Sequence, residues 1–69
     1  MQYVVVVEKS DNGYSAYVPD LPGCIAAAST KAETEKLISE AIQLHLESMR
    51  EHDEVVPEPT SSTVLVEAQ

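Results

Sequence analysis

The chain opens with a β-branched run, Tyr3 followed by valines at Val4–Val7, which has the length of a strand. A strand with one face in water alternates apolar and polar residues, and this run does not, so we expect both of its faces to be covered. Asn12-Gly13 follows, and this dipeptide between two strand-like runs predicts a hairpin turn because both residues tolerate positive φ. Tyr14–Val18 alternates, which predicts the return strand with Tyr14 and Tyr17 on opposite faces.

A loop rich in proline, Pro19–Gly23, separates this strand from a short apolar stretch, Cys24–Ala28, which we interpret as a third strand. Thr30 and Glu33 fit a helix capping box, and the helical period continues to about His52. One predicted stripe of the helix, with spacings of three and four, is mainly apolar and comprises Leu37, Ile38, Ala41, Leu44, His45, Ser48 and Met49. Ile42 widens this stripe and Leu46 lies beyond it, so these two are candidates for contact with a partner.

After the helix, the prolines of Val55–Pro59 predict an extended segment, because each excludes the α region for the residue before it. Thr63–Val66 then predicts a last strand. The predicted order is β-β-β-α-β in a single α+β domain, residues 1–69. One helix covers only one face of a sheet, so the valine run predicts a second apolar face, with Val4, Val5, Val6 and Val7 as candidates for an interface in a homodimer or homotetramer. A terminal segment folded back onto this face is the alternative cover.

The composition of the chain limits the classes of partner and the cellular location that we expect. The chain of 69 residues has 4 basic and 12 acidic side chains and a net charge of −8, which disfavours binding to nucleic acid and permits a basic partner. Such a short chain is marginal alone and often oligomeric. Cys24 is the one cysteine, so no internal disulfide is expected. Neither a leader nor an apolar run of membrane-spanning length is found, and we expect a cytoplasmic protein with no membrane contact.

Tyr14–Cys24 resembles the HicB antitoxin family, which shares an aromatic residue, a strand and the sequence Pro-Asp-Leu-Pro-Gly-Cys found here at positions 19–24. Thr30 matches the family's helix cap, and Val56-Pro57-Glu58-Pro59 matches its exit from the helix. The resemblance covers about residues 3 to 67. It implies a truncated ribonuclease-H-like fold, with an antiparallel sheet and one helix against one face. It also implies an antitoxin that neutralises HicA, a small basic RNA-cleaving toxin, by direct protein binding.

Three departures from the family pattern stand out. Many members continue into a DNA-binding module, whereas this sequence ends at Gln69, so we expect no DNA-binding domain and no operator binding. Ala28-Ser29 replaces the usual Gly-Asp ahead of the helix, and Glu33-Thr34 replaces Glu-Ala in its first turn. These departures indicate a divergent or stand-alone member, and an oligomeric scaffold or ligand-binding domain without a toxin is the alternative function.

An enzyme is the third hypothesis, and the sequence offers it little. The predicted strands lack the converging carboxylates that a nuclease metal site needs. Cys24 and His45, with Asp20 as an orienting group, fit a nucleophile and base in residue type, but a small buried thiol and a core histidine are the simpler interpretations. His45 and His52 alone do not make a zinc site. We therefore expect no catalytic residue, no cofactor and no metal.

Candidate contacts with a partner come from the loop, the second strand and the end of the helix. Asp20 has two interpretations: it caps its own turn by binding an N–H two residues on, or it contacts a partner directly. The acidic run at the helix end is a solvated terminus or a surface for a basic groove, and its charge opposes the helix dipole. The full set of candidates is Tyr17, Asp20, Leu46, Glu51, Asp53 and Glu54.

Overall fold

A computed structural model describes residues 1–69 and has three strands and one helix. Strands β1 (Val6–Ser10), β2 (Gly13–Tyr17) and β3 (Ile25–Ala28) form an antiparallel sheet in the order β1-β2-β3. Helix α1 (Lys31–Glu51) packs on one face, mostly over β3 and β2 and little over β1. The predicted α+β class, the three strands and the helix are confirmed.

The β1–β2 hairpin is confirmed, but its glycine serves a different purpose from the predicted one. The register pairs Ser10 with Gly13, so the turn residues are Asp11 and Asn12, and neither has positive φ. Gly13 begins β2 at φ 152, and a Cβ built there would overlap the carbonyl oxygen of Ala28. The position therefore needs glycine because the end of β3 passes too close for any side chain.

The core consists of one small cluster between the sheet and α1. Register places Val7, Ala16 and Ala26 in one inward-facing row, of which Ala16 is buried and the other two pack against the cluster. The buried apolar residues are Ala16, Val18, Leu21, Cys24, Ile38 and Leu46. With Thr34 added, 7 of 69 residues are buried, so the body is thin and its stability depends on few side chains.

The start of α1 is held as the capping pattern predicts. The Thr30 hydroxyl accepts a hydrogen bond from the backbone N–H of Glu33 at 3.1 Å. Thr34 is fully buried, and its hydroxyl donates to the Thr30 carbonyl at 2.8 Å, with the Tyr14 carbonyl at 3.5 Å. Thr34 stands where the family pattern has alanine, and its buried hydroxyl is satisfied by a hydrogen bond.

The predicted apolar stripe of the helix is correct for Ile38 and Ala41 and wrong for Leu37 and Leu44. Thr34, Ile38 and Leu46 are the buried helix residues, with Ala41 and Ile42 packed beside them. Leu37 and Leu44, which were expected on the stripe, are 43% and 67% exposed. The helix is rotated toward Leu46 because a buried threonine with satisfied hydrogen bonds occupies the inner face of the first turn, a position that hydrophobicity alone does not identify.

The predicted last strand is absent. Residues from Glu54 onward form no strand, and Val64, Leu65 and Val66 are 81%, 101% and 78% exposed. The first strand also starts later than predicted, at Val6 rather than Tyr3. Both differences have the same physical cause: a strand requires a hydrogen-bonded neighbour, and these apolar residues have none within the chain.

Candidate interaction surface

The sheet face opposite α1 has no covering element. Register aligns Val6, Tyr17 and Ile25 in one cross-strand row on this face. Tyr17 is 42% exposed and Ile25 is 70% exposed. We call Val4, Val6, Tyr17 and Ile25 the open face. A contiguous apolar row of this kind is typical of a surface that another polypeptide covers.

The valine run divides between the two faces. Tyr3, Val5 and Val7 pack against the core cluster, although all remain partly exposed because α1 lies mainly over β2 and β3. Strand alternation places Val6, and by extension Val4, on the open face. Of the four valines expected at an oligomer interface, Val5 and Val7 are therefore core-facing residues, and that part of the prediction is wrong.

The loop between β2 and β3 is rigidly held. Leu21 is fully buried and Cys24 is 3% exposed. The Leu21 N–H donates to the Val18 carbonyl at 3.1 Å, the Cys24 N–H donates to the Leu21 carbonyl at 3.1 Å, and the Val18 N–H donates to the Cys24 carbonyl at 3.2 Å. These hydrogen bonds fix the backbone of the loop, on which Pro19, Pro22 and Gly23 are exposed.

Asp20, in the same loop, binds the C-terminal segment. Its Oδ2 accepts from the N–H groups of Thr60 and Ser61 at 3.2 and 3.1 Å, and its Oδ1 accepts from their hydroxyls at 2.9 and 3.1 Å. These hydrogen bonds, first the one from the Ser61 N–H and then the one from the Thr60 hydroxyl, lower the pKa of the Asp20 carboxyl. The turn-capping interpretation is wrong, because the carboxylate reaches residues 40 and 41 positions away.

The segment that Asp20 holds crosses one end of the sheet. Val56 packs against the core, and the Tyr3 hydroxyl donates to the Pro57 carbonyl just ahead of β1. The chain then reaches Asp20 on the β2–β3 loop at Thr60 and Ser61. Beyond this clamp, residues 62–69 leave the body, and we call them the arm.

The end of α1 carries the acidic residues and a strained cap. The Glu54 N–H donates to the Met49 carbonyl at 2.8 Å and the Asp53 N–H to the Arg50 carbonyl at 3.2 Å, which is a Schellman motif. Asp53 has φ 54, at a position usually filled by glycine. Glu51, Asp53 and Glu54 are all exposed. The chain thus keeps a carboxylate where both backbone conformation and helix dipole disfavour it.

The other candidate groups do not form a site for chemistry. Burial raises the pKa of the Cys24 thiol, which makes it a poorer nucleophile. No three His, Cys, Asp or Glu side chains are grouped so that they could hold a metal ion.

A shallow groove lies between Met1–Tyr3 and the helix residues Ile42 and Leu46. No helix is long and apolar enough to cross a membrane.

Two of the predicted partner contacts, Leu46 and Asp20, make contacts within the chain. Leu46 is only 7% exposed and belongs to the core, so its predicted position outside the packed side of the helix is wrong. The Asp20 carboxylate is already engaged within the chain. Sequence reasoning missed Ile25 and the Thr60-Ser61 anchor. The sequence contained a signal for Ile25, since strand alternation places it on the face opposite to its core-facing neighbours Cys24 and Ala26.

Comparison with known proteins identifies the family. The sequence model of the HicB-like antitoxins of bacterial toxin–antitoxin systems matches residues 3–69. The chain therefore belongs to this family, which is one of antitoxins and not of enzymes. The resemblance read from the Pro-Asp-Leu-Pro-Gly-Cys motif is confirmed.

Several relatives are similar over most of the chain. A UPF0150 protein of Thermoplasma acidophilum is 38% identical over 69 residues, covering 99% of this chain and all of its own length. A UPF0150 protein of Synechocystis is 41% identical over 56 residues, covering 80% of this chain and 71% of its own. An uncharacterised 14.9 kDa protein of Haemophilus phage HP1 is 44% identical over 57 residues, and this chain spans only 43% of it.

A solved structure shares the fold. A chain of a HicA3 and HicB3 toxin–antitoxin complex superposes with a TM-score of 0.73 at 30% sequence identity. The match covers 87% of this chain and 70% of that one. The arrangement of three antiparallel strands and one helix is therefore shared with a protein from a toxin–antitoxin assembly.

Proposed function

We propose that this protein is the antitoxin of a type II toxin–antitoxin pair and neutralises a small, basic, HicA-like RNA-cleaving toxin by binding it directly. The observation that carries the proposal is the superposition on a chain of the HicA3 and HicB3 complex, at 30% identity over 87% of this chain. The family match over residues 3–69 supports the same role.

The charge of the chain supports a basic partner. A net charge of −8 on 69 residues attracts a basic protein and repels the RNA that such a toxin would cleave. We assign the first contact to the acidic end, which we define as Glu51, Asp53 and Glu54. Asp53 supports this assignment, because a carboxylate held at φ 54 beside a helix C-terminus is not explained by stability.

The finer description of the protein belongs to the same proposal. We take the sheet and helix as a truncated ribonuclease-H-like fold that serves as a binding scaffold, with residues 1–69 acting as one HicB-like domain. We propose a homo-oligomer that acts in the cytoplasm and does not itself bind nucleic acid. The thin body supports oligomerisation, since only 7 of 69 residues are buried within one copy.

Co-expression tests the proposal. The chain is produced with the small basic protein encoded beside it and purified at low and at high salt. We expect a complex at low salt that weakens as salt rises, together with rescue of growth from the toxin, because exposed charge pairs are screened. Absence of a complex at low salt and of rescue would contradict the antitoxin function and leave the orphan scaffold.

Matched charge variants locate the contact. E51Q/D53N/E54Q removes three charges from the acidic end, and E35Q/E40Q/E47Q removes three from other exposed positions of α1. We expect the first variant to weaken toxin binding by about tenfold or more and the second by much less. Equal losses would show that overall charge, and not the acidic end, attracts the partner.

A further inference from the structure

Two apolar features of the chain lack a partner in the same structure. The open face carries the row Val6, Tyr17 and Ile25, in which Tyr17 and Ile25 are exposed and Val6 is partly exposed. The arm exposes Val64, Leu65 and Val66 almost completely, at 81%, 101% and 78%. This short stretch has strand-forming composition and no charge, yet it pairs with nothing.

The clamp fixes the chain immediately ahead of the arm. Tyr3 holds Pro57 ahead of β1, and Asp20 on the β2–β3 loop holds Thr60 and Ser61. Only Ser62 separates the clamped residues from Thr63, where the strand-like stretch begins. The dimensions agree with a projecting arm: the radius of gyration is 13.5 Å, against about 11 Å expected for a compact chain of this length.

We infer that the arm of one copy docks on the open face of a second copy, and that the second copy returns its arm in the same way. Each chain carries both the arm and the face, so a two-fold arrangement satisfies both at once. The stretch Val64–Val66 and the row Val6, Tyr17 and Ile25 carry no charge, whereas a basic toxin is expected to favour the acidic end. The inference deepens the proposed oligomer and does not depend on the existence of a toxin.

The area involved is that of a weak dimer. A buried aliphatic side chain removes on the order of 100 Å² of apolar surface from water. Because alternate side chains of an extended arm point to opposite sides, Val64 and Val66 face the partner, and two arms with the two faces that they cover would bury on the order of 800 Å². This value lies in the range of weak or transient protein interfaces.

The first experiment measures self-association of the full chain alone by sedimentation equilibrium. We expect a dimer of about 15 kDa, twice the 7.5 kDa of the chain, at micromolar concentration. Because each copy carries −8, we expect the dimer to strengthen as salt rises, opposite to the expected behaviour of the toxin complex. A wild-type chain that stays monomeric at all salt concentrations would overturn the inference together with the proposed homo-oligomer, and would leave the proposed toxin binding untouched.

Substitutions then test the two contact elements. We expect V64S/L65S/V66S to raise the dimer dissociation constant about a hundredfold or more, and I25S to act in the same direction. The control for the arm is V55S, a valine 88% exposed ahead of the clamp, and the control for the face is L44S, a leucine 67% exposed on α1. Both controls should change the constant by less than about twofold. Circular dichroism verifies that each variant is folded.

Mixing the two defective variants separates this arrangement from other dimers. V64S/L65S/V66S keeps an intact face and I25S keeps an intact arm, so their mixture retains one of the two contacts. We expect the mixture to associate more tightly than either variant alone. A dimer that the arm substitutions do not weaken, or a mixture no tighter than its components, would contradict docking of the arm on the face.

Discussion

At the scale of single residues, the carboxylate of Asp20 fixes the path of the chain after the helix. It accepts four hydrogen bonds from Thr60 and Ser61, 40 and 41 residues further along. A loop residue in a family motif thereby decides where the C-terminal segment is held and where the arm departs. The C-terminal segment was expected to be held in the sheet as a fourth strand. It is held instead by side-chain hydrogen bonds from Thr60 and Ser61 to Asp20.

The pH dependence of this clamp follows from the lowered pKa of Asp20. The folded state favours the ionised carboxyl, so the clamp is at full strength above the pKa of about 3.9 of an unfolded aspartate. Its contribution is lost as pH falls through the lower pKa of the folded state. We expect the amide proton shifts of Thr60 and Ser61, followed by NMR, to titrate together with a midpoint below 3.9.

D20N is the matched control for this titration, because it keeps the shape of the side chain and removes the ionisation. The two amide shifts should show no inflection in the same pH range. An unchanged inflection in D20N would mean that another group controls the segment.

Asp53 predicts a conflict between stability and binding at the end of α1. We expect D53G to stabilise the fold by about 0.5–1 kcal/mol, since glycine adopts φ 54 freely and the change removes a charge that opposes the helix dipole. Urea unfolding at fixed protein concentration measures the change. D53N keeps a side chain that tolerates this backbone region and removes only the charge.

Toxin binding by the same two variants tests the role of the charge. Both should bind the proposed toxin more weakly, and to a similar extent, if the carboxylate is retained for the partner. Binding by D53N equal to wild type would assign Asp53 no part in the contact.

At the scale of elements, the β2–β3 loop belongs to the core as much as the strands do. Leu21 is fully buried and is bracketed by backbone hydrogen bonds to Val18 and from Cys24. The sequence marked this loop as conformationally restricted through its prolines, but it did not reveal that the central leucine is among the most buried residues of the molecule.

Leucine-to-alanine substitutions at one buried and one exposed position test whether Leu21 belongs to the core. We expect L21A to destabilise the protein by about 2–5 kcal/mol, enough to unfold a domain this small at ordinary temperature. L44A removes the same atoms from a side chain that is 67% exposed and should cost less than about 0.5 kcal/mol. Urea denaturation followed by circular dichroism compares them, and similar losses for the two variants would contradict the assigned core.

At the scale of the whole molecule, one copy has a small core and one uncovered sheet face. Its extents are 45 × 28 × 16 Å, and one helix lies over a sheet whose other face is open. A chain of about 60 residues buries only about 60% of the surface that it exposes when unfolded. Association with a second copy would add apolar burial that a single copy does not have.

Stability should therefore depend on concentration. Across about a hundredfold range of protein concentration, we expect the thermal midpoint of the wild-type chain to rise by on the order of 5–10 °C. The V64S/L65S/V66S variant should show a much smaller rise. Differential scanning calorimetry measures both, and a midpoint independent of concentration in the wild type would argue for a folded monomer.

The sequence by itself determined the elements that depend on local chemistry. The β1–β2 hairpin, the Thr30 cap and the helix that follows come from turn residues, capping and periodicity, which act over a few residues. The Pro-Asp-Leu-Pro-Gly-Cys motif identified the family on the same basis.

Only the tertiary structure decided what depends on distant contacts. It rotated α1 toward Leu46, paired Asp20 with Thr60 and Ser61, and left Val64–Val66 without the strand that their composition favours. A pattern along the chain reports how much apolar surface a segment has. Residues tens of positions away, or a different chain, determine which neighbour covers that apolar surface. They also determine which neighbour pairs with the backbone hydrogen-bonding groups of the segment.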